Sequence, residues 1–219
     1  MSSFNFDINK DYGFTDRVNS LEELREWDLF RFNKIKQISE ECTEVLDFGA
    51  ASRCLSEILP FRNYKSIDFC AAFKPDIVAD ICDMYMIKDE EYSGVICSAV
   101  LEHVYNPFKA VEELYRIMKK DGYLYVYVPF LFKYHAPKSG EFKDYWRFTK
   151  DGIHHLFMEH VKFSSMEYAP IRYEKETIMN LTKLFGKRSL FHKIIGRKLY
   201  KNAQYTDEMV SGFSILCRK

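Results

Sequence analysis

The chain has 219 residues and a mass of 26.1 kDa, which is enough for one large domain and too little for two of ordinary size. Its 32 basic and 32 acidic residues cancel to a net charge of zero, which excludes the uniformly basic surface typical of nucleic-acid-binding proteins. Apolar residues make up 47% and charged residues 29% of the chain, a globular composition that excludes general disorder. We expect a single domain over residues 1–219, located in the cytoplasm, because the sequence shows neither a signal peptide nor a membrane-spanning stretch.

Helical and strand-like patterns alternate along the chain. Ser20 and Glu23 have the spacing of a capping box, and the apolar residues that follow predict an amphipathic helix to residue 41, so that residues 1–41 form an N-terminal helical cap. Short apolar runs predict strands at 44–48, 64–68, 76–80, 94–98, 123–128, 161–168 and 212–217, with a helix at 107–120. This alternation is typical of an α/β three-layer sandwich, a mostly parallel sheet with helices on both faces.

Acidic residues stand at the ends of three predicted strands, where ligands bind in such sheets. The turn after the first strand contains Gly49 but lacks the glycine-rich fingerprint of a dinucleotide site, and the carboxylate of Asp47 would repel a pyrophosphate. S-adenosylmethionine, which carries an ammonium and a sulfonium and no phosphate, suits this position better. Asp68 is placed to accept hydrogen bonds from ribose hydroxyls, and Asp80 from an adenine amino group, with Phe69 packed on the ring.

Four segments resemble successive motifs of class I S-adenosylmethionine-dependent methyltransferases, and most closely the small methyltransferase-domain proteins related to ubiquinone-type enzymes. They are Val-Leu-Asp-Phe-Gly-Ala at 45–50, Asp-Ile-Cys-Asp-Met at 80–84, Val-Leu-Glu-His-Val at 100–104, and 114–122. The resemblance implies a Rossmann-like, doubly wound sheet of seven strands, mostly parallel, with an antiparallel last strand. It also implies that S-adenosyl-L-methionine is bound by Asp47, Gly49, Ala51, Asp68, Phe69, Asp80, Ile81 and Ser98.

The sequence departs from the family at two positions. Members usually have glycine where this chain has Ala51 and Arg53. The departure leaves a second interpretation open, in which a degenerate methyltransferase fold serves as a non-catalytic binding or scaffold subunit. A nicotinamide-dependent oxidoreductase is a weaker third interpretation, because it needs the glycine fingerprint that Asp47 displaces.

Candidate residues for the acceptor follow the fourth and fifth predicted strands. An oxygen acceptor benefits from a base, and the candidate bases are His103, Tyr134 and His135. The segment 144–149 resembles a signature of members attributed to surface-polysaccharide and other glycan or small-molecule pathways, and its candidate acceptor-binding residues are Asp144, Tyr145 and Arg147. The guanidinium of Arg147 suits an anionic group. It remains open whether His103 only packs beside the pocket, and whether the aromatic residues of this segment only anchor a loop.

The expected reaction is O-methylation of a small-molecule or glycan-linked acceptor, including a phosphorylated one. No metal ion is expected, since no two of the six cysteines have zinc-ligand spacing.

A basic helical insertion is predicted at 170–210, before the last strand. Residues 183–201 contain seven lysines and arginines and no acidic residue, interleaved with apolar side chains. A helix lying on an anionic membrane surface has this composition, and so does a helix whose apolar side packs on its own domain. An anionic partner therefore stays open here. The zero net charge is a cancellation, because residues 1–169 hold 21 basic and 28 acidic residues, whereas residues 170–219 hold 11 and 4.

Overall fold

The computed structural model describes residues 20–50, 55–183 and 208–219. Within these ranges, seven strands form one sheet in the order β3-β2-β1-β4-β5-β7-β6. The strands are β1 (Glu44–Phe48), β2 (Asn63–Asp68), β3 (Ile77–Val78), β4 (Tyr92–Ser98), β5 (Met118–Pro129), β6 (Ser165–Ile171) and β7 (Gly212–Arg218). β7 is antiparallel to both β5 and β6, and the other neighbouring strands are parallel. The predicted fold class is confirmed.

Helices connect the strands and cover the sheet. In the described part of the chain they are α1 (Glu26–Glu41), α2 (Leu55–Ile58), α3 (Pro107–Ile117), α4 (Lys150–His154) and α5 (Glu174–Lys183), with short 3-10 turns at Leu21–Glu23, Ala71–Phe73 and Leu101–His103 and a π-helical turn at His155–His160. The side chain of Asn106 caps α3 by accepting the backbone N–H of Lys109 at 3.2 Å, and Pro107 occupies the first turn.

Apolar side chains pack against both faces of the sheet because they alternate along the strands. In β5, Leu124 and Val126 lie in one core and Tyr125 lies in the other. The first core contains α3, through Ala110, Val111, Leu114 and Ile117. The second contains α1, through Phe32, Ile35 and Ile38. The two cores give the three-layer arrangement that the sequence predicts.

Several element ends differ from the sequence-based prediction. The expected capping box is wrong, because the Ser20 side chain makes no capping hydrogen bond and α1 begins only at Glu26. β3 has only two residues, since the carboxylate of Asp76 turns back to accept the backbone N–H and the hydroxyl of Ser66, both at 2.8 Å. α3 ends at Ile117, and β5 starts at the next residue.

Some predictions fall on residues outside the described ranges. They are the first 19 residues of the predicted cap, Ala51 and Arg53 in the turn after β1, and residues 184–207 of the predicted basic insertion. The N-terminal cap and the basic insertion stay predictions. The structure describes α1 within the predicted cap and α5 within the predicted insertion. In the described ranges, no helix is both long and apolar enough to cross a membrane.

Candidate functional site

The turn after β1 is built around Gly49. Its φ of +64° lies in the left-handed region, and a Cβ at this position would lie 2.7 Å from Cγ2 of Val100, in the turn after β4. The Gly49 N–H donates to the carbonyl oxygen of Ile67 in β2 at 3.0 Å. Only glycine combines this conformation with this close approach, so the backbone forms a narrow cradle between the carboxyl ends of three strands.

Asp47 lies beside this cradle, buried in β1. Its Oδ2 accepts a hydrogen bond of 2.8 Å from the hydroxyl of Tyr64 in β2. Burial, and then the charge of Asp47, raise the pKa of the Tyr64 phenol, so that the hydroxyl stays protonated and donates. The pair places a negative charge at the end of the first strand, as a ligand with a cationic group requires.

Asp68 and Phe69 follow at the end of β2. The Asp68 side chain is buried, and its Oδ1 accepts the backbone N–H of Cys70 at 2.9 Å. The described residues make no hydrogen bond to its Oδ2, which leaves that oxygen available to ligand hydroxyls. Phe69 exposes 52% of its surface, so its ring is accessible to a ligand.

Asp80, Ile81 and Ser98 complete the predicted cofactor set within the described chain. Asp80 is exposed after β3, and its Oδ1 accepts the backbone N–H of Cys82 at 2.8 Å. Ile81 and Ser98 are buried, and Ser98 is the last residue of β4. The structure thus brings together the predicted residues at the carboxyl ends of β1 to β4, and their roles in binding stay predictions.

His103 and His135 meet beyond the ends of β4 and β5, with their ring centroids 4.8 Å apart in an edge-on arrangement. His103 ends the 3-10 turn after β4, and its Nδ1 lies 2.6 Å from the carbonyl oxygen of Lys143. A carbonyl only accepts hydrogen bonds, so Nδ1 carries the proton and Nε2 presents a lone pair. Burial lowers the pKa of His103 and outweighs the opposing effect of the Lys143 hydrogen bond, which favours the neutral ring.

In its neutral form, the His135 ring has the same tautomer by the same reasoning. Its Nδ1 lies 3.0 Å from Oδ2 of Asp144 and 3.2 Å from the carbonyl oxygen of Lys133, which are both acceptors. Its backbone N–H donates to the same carboxylate oxygen at 2.7 Å. Asp144 therefore fixes both the loop and the orientation of the His135 ring, and the Nε2 of His135 also presents a lone pair.

Arg147 holds Asp144 in place through two hydrogen bonds of 2.6 and 2.8 Å. Burial alone would raise the pKa of Asp144, but the hydrogen bonds from Arg147 and from the His135 N–H lower it to about 2. The remaining N–H groups of Arg147 donate to the carbonyl oxygens of Phe132, Lys133 and Trp146 at 3.1, 2.7 and 2.7 Å. All five N–H groups of the guanidinium thus donate to oxygens of the protein. The sequence predicts that Arg147 binds an anionic methyl acceptor, and such a molecule would have to displace one of these protein oxygens.

Glu102 lies in the motif at 100–104 but is not among the site residues predicted from the sequence. Its side chain is 1% exposed, and its Oε1 lies 3.8 Å from the Nε2 atoms of both His103 and His135. Its carbonyl oxygen accepts the backbone N–H groups of Tyr145 and Trp146 at 2.7 and 3.1 Å, which docks the loop after β5 on this turn. The sequence signal was an acidic residue next to a histidine directly after a strand end.

The aromatic candidates lie at the rim of this cluster. Tyr134 and Tyr145 are 70% and 49% exposed, and the Tyr145 ring meets that of Tyr105 edge-on at 5.9 Å. The indole N–H of Trp146 donates to the carbonyl oxygen of Val104 at 2.8 Å, so this residue anchors the loop, as one of the open interpretations has it.

Residues 46–126 match the family model of a methyltransferase domain. This match identifies a methyltransferase domain in that segment. The matched segment runs from β1 into β5 and includes the cofactor residues Asp47 to Ser98 together with the Glu102–His103 turn. No curated protein sequence matches the chain.

Solved structures of methyltransferases share the fold of most of the chain. A SAM-dependent methyltransferase from Archaeoglobus fulgidus is 17% identical with a TM-score of 0.60, over 89% of this chain and 95% of that one. One from Thermotoga maritima is 14% identical with a TM-score of 0.54, over 87% and 88%. Phosphoethanolamine N-methyltransferase 2 from Haemonchus contortus, in complex with S-adenosyl-L-methionine, is 13% identical with a TM-score of 0.50, over 80% and 48%. These likenesses establish the fold, and with the family match they confirm the predicted family and support S-adenosyl-L-methionine as its cofactor.

Proposed function

We propose that this methyltransferase domain transfers the methyl group of S-adenosyl-L-methionine to an oxygen of a small-molecule or glycan-linked acceptor. One observation carries the proposal: the Nε2 lone pairs of His103 and His135 converge beyond the ends of β4 and β5. A hydroxyl group must lose its proton when it is methylated, and a lone pair within hydrogen-bond reach accepts that proton.

The residues at the strand ends fit the cofactor. The cradle at Gly49 would bring the backbone close to the ligand, and Asp47 would supply a negative charge beside it. The Asp68 carboxylate would hold the ribose hydroxyls, and Asp80 the adenine amino group. When bound, S-adenosyl-L-methionine supplies an electrophilic methyl group on a positively charged sulfur.

His135 is the better base of the two histidines. As its Nε2 takes the hydroxyl proton, the ring becomes positively charged, and the carboxylate of Asp144 next to Nδ1 stabilises that charge. His103 has only a carbonyl oxygen at its Nδ1 and a lowered pKa. We therefore assign proton acceptance to His135 and orientation of the acceptor hydroxyl to His103.

The rim of the site suits a ring-shaped acceptor such as a sugar. The partly exposed rings of Tyr134 and Tyr145 offer flat apolar faces beside a polar cluster. Segment 183–201 holds seven basic residues and no acidic one, and we propose an anionic partner for it, such as a phosphorylated sugar of polysaccharide biosynthesis or a membrane surface. The buried thiols of Cys42 and Cys217 are consistent with a reducing compartment, and we propose the cytoplasm.

Cofactor binding is tested by calorimetric titration with S-adenosylhomocysteine. Asp68→Ala should weaken binding at least about tenfold, because it removes a buried carboxylate that accepts hydrogen bonds from the ligand. Asp89→Ala is the matched control, since Asp89 is an exposed aspartate before the start of β4 and should leave the affinity unchanged. An absence of binding to the wild type would favour the non-catalytic scaffold, and equal binding by Asp68→Ala would refute the assigned cofactor site.

The acceptor class is tested with labelled S-adenosyl-L-methionine and a panel of hexoses, hexose phosphates, phenols and phosphoethanolamine. We expect label on a hydroxyl compound, and we expect His135→Gln to lower kcat about a hundredfold or more with cofactor affinity unchanged. Label on phosphoethanolamine alone would refute oxygen as the acceptor atom.

A further inference from the structure

We propose that Glu102, His103 and His135 bind one divalent transition-metal cation at the acceptor side of the domain. The three side chains each offer one ligand atom, Oε1 of the glutamate and Nε2 of each histidine, and these atoms lie within 4.8 Å of one another. One carboxylate and two imidazoles are a ligand set that suits Mn²⁺, Fe²⁺, Co²⁺ or Zn²⁺. The site uses no cysteine, so cysteine spacing in the sequence could not reveal it.

The hydrogen bonds at the two Nδ1 atoms orient both histidine rings with Nε2 toward Glu102. Both Nδ1 atoms carry protons, because their partners are carbonyl or carboxylate oxygens. Both Nε2 atoms therefore present lone pairs toward Oε1 of Glu102, and the separations of 3.8 Å exceed the length of a hydrogen bond.

Groups behind the ligands hold them in the orientation that a metal site requires. A ligating histidine commonly donates its other N–H to a carboxylate or to a backbone carbonyl, which fixes the ring and strengthens its lone pair. His135 has the carboxylate of Asp144 in this role, and His103 has the carbonyl oxygen of Lys143. Arg147 in turn fixes Asp144 through both carboxylate oxygens.

The backbone also suits a compact site. Glu102 and His103 are neighbours in one 3-10 turn, and the His135 loop is joined to the same turn by the hydrogen bonds from Tyr145 and Trp146 to the Glu102 carbonyl. With bonds of about 2.1 Å at tetrahedral angles, the ligand atoms of a bound cation would lie about 3.4 Å apart. The separations of 3.8 Å between Glu102 and the histidines would then shorten by roughly 0.4 Å, and the separation between the histidines by at most about 1.4 Å. Three protein ligands leave at least one coordination position for an oxygen of the acceptor.

The role of this cation rests on the proposed function. The proton acceptance assigned to His135 applies to the metal-free domain, because with the cation bound the Nε2 lone pair of His135 is a metal ligand. An acceptor hydroxyl bound to the cation would have a lowered pKa and would release its proton to solvent. The bond between the acceptor oxygen and the methyl carbon forms as the bond between that carbon and sulfur breaks. The positive charge of the sulfonium is lost in this step, and the balance is closed by the released proton.

Cobalt is a suitable probe because its visible absorption reports the coordination of a bound Co²⁺ ion. The full-length chain, freed of metal with a chelator, should bind one Co²⁺ per molecule in calorimetric and absorption titrations. Glu102→Gln and His135→Ala should each weaken binding at least about a hundredfold, since each removes one of three ligands. His155→Ala is the matched control, because His155 is an exposed histidine that also has a carboxylate partner, Glu159, at 2.7 Å, and it should leave the affinity unchanged.

Two results would overturn the proposal: no binding by the wild type at millimolar Co²⁺, or equal affinity in the wild type, Glu102→Gln and His135→Ala. Thermal unfolding of the metal-free variants shows whether a lost affinity reflects lost folding, and the isosteric Glu102→Gln protects against that outcome. S-adenosylhomocysteine titrations on the same samples separate the two proposals. Cofactor binding without Co²⁺ binding refutes the cation site alone, and Co²⁺ binding without cofactor binding refutes the proposed function alone.

Discussion

Replacement of Gly49 by alanine should destabilise the domain and remove cofactor binding. Two physical effects add. The left-handed φ of +64° costs a non-glycine residue about 1 kcal/mol or more. The new Cβ would also lie 2.7 Å from Cγ2 of Val100, and relief of such overpacking typically costs about 1 to 3 kcal/mol. We therefore expect the free energy of unfolding to fall by about 3 kcal/mol.

The chain offers a matched control for the conformational part. Gly140 also has a left-handed φ, of +82°, but a Cβ there would meet no atom within 4 Å. Gly140→Ala should therefore lower the free energy of unfolding by only about 1 kcal/mol. Urea unfolding of both variants measures the difference, which is the part caused by the contact with Val100.

A second variant tests that contact directly. In a Val100→Ala background the Cγ2 atom is absent, so the effect of Gly49→Ala should shrink by about 1 to 2 kcal/mol. The reasoning is refuted if Gly49→Ala is no more destabilising than Gly140→Ala, or if Val100→Ala does not reduce its effect. Calorimetry with S-adenosylhomocysteine should show loss of binding in Gly49→Ala at temperatures where the variant is still folded.

Three further predictions concern single hydrogen-bonded side chains, two at helix α3 and one at Asp144. Glu113→Gln should lower the free energy of unfolding at pH 7 by about 2 kcal/mol, because the hydrogen bonds from Arg116 hold the Glu113 pKa below its usual value. Because the pKa of Glu113 is lower in the folded protein than in the unfolded chain, its ionised carboxylate stabilises the fold at pH values above the usual glutamate pKa. This stabilisation is lost as the pH falls through the pKa of the folded state. The gap between wild type and variant in urea unfolding should therefore narrow below about pH 4, and a constant gap would contradict this. Asn106→Ala should lower the Tm by about 3 °C through loss of the α3 cap, measured by calorimetry, and an unchanged Tm would contradict the capping role. Arg147→Lys should weaken Co²⁺ binding about 10-fold to 100-fold with S-adenosylhomocysteine binding unchanged, since lysine cannot hold both oxygens of Asp144, and equal Co²⁺ affinity would show that this pair does not position the ligands.

The strand ends that carry the predicted cofactor residues were predictable from the sequence, because they depend on the local pattern of apolar residues and glycine. β1 has the predicted bounds, since a short apolar run followed by glycine defines both its start and its end. Parallel strands bring their carboxyl ends to one edge, so a residue at a strand end has a known place in the fold once the strand is recognised. Asp68 and Asp80 were placed at strand ends in this way, and their roles in cofactor binding stay predictions.

The acceptor side was only partly predictable, because it depends on contacts between distant parts of the chain. His103 and His135 could each be recognised as candidates, but not their contact with each other or with Glu102. That contact depends on the loop folding back onto the turn after β4, through backbone groups of Lys143 and Tyr145 that any residue type would offer. The same limit explains Arg147, whose guanidinium bonds to four neighbouring residues that no sequence spacing identifies as its partners.

The predicted cofactor residues and the residues near the acceptor are therefore positioned by different parts of the fold. Gly49 and Asp68 are positioned by strands of the central sheet, whose geometry depends on both cores. Glu102, His103 and His135 are positioned by one turn and one loop that are joined to each other by a few hydrogen bonds. This loop orients the His103 ring through the carbonyl of Lys143 and the His135 ring through Asp144. A sequence change between residues 130 and 148 should therefore alter the acceptor chemistry and leave the cofactor cradle in place. We therefore expect acceptor specificity and cation affinity to change together in loop variants, while S-adenosylhomocysteine affinity stays constant.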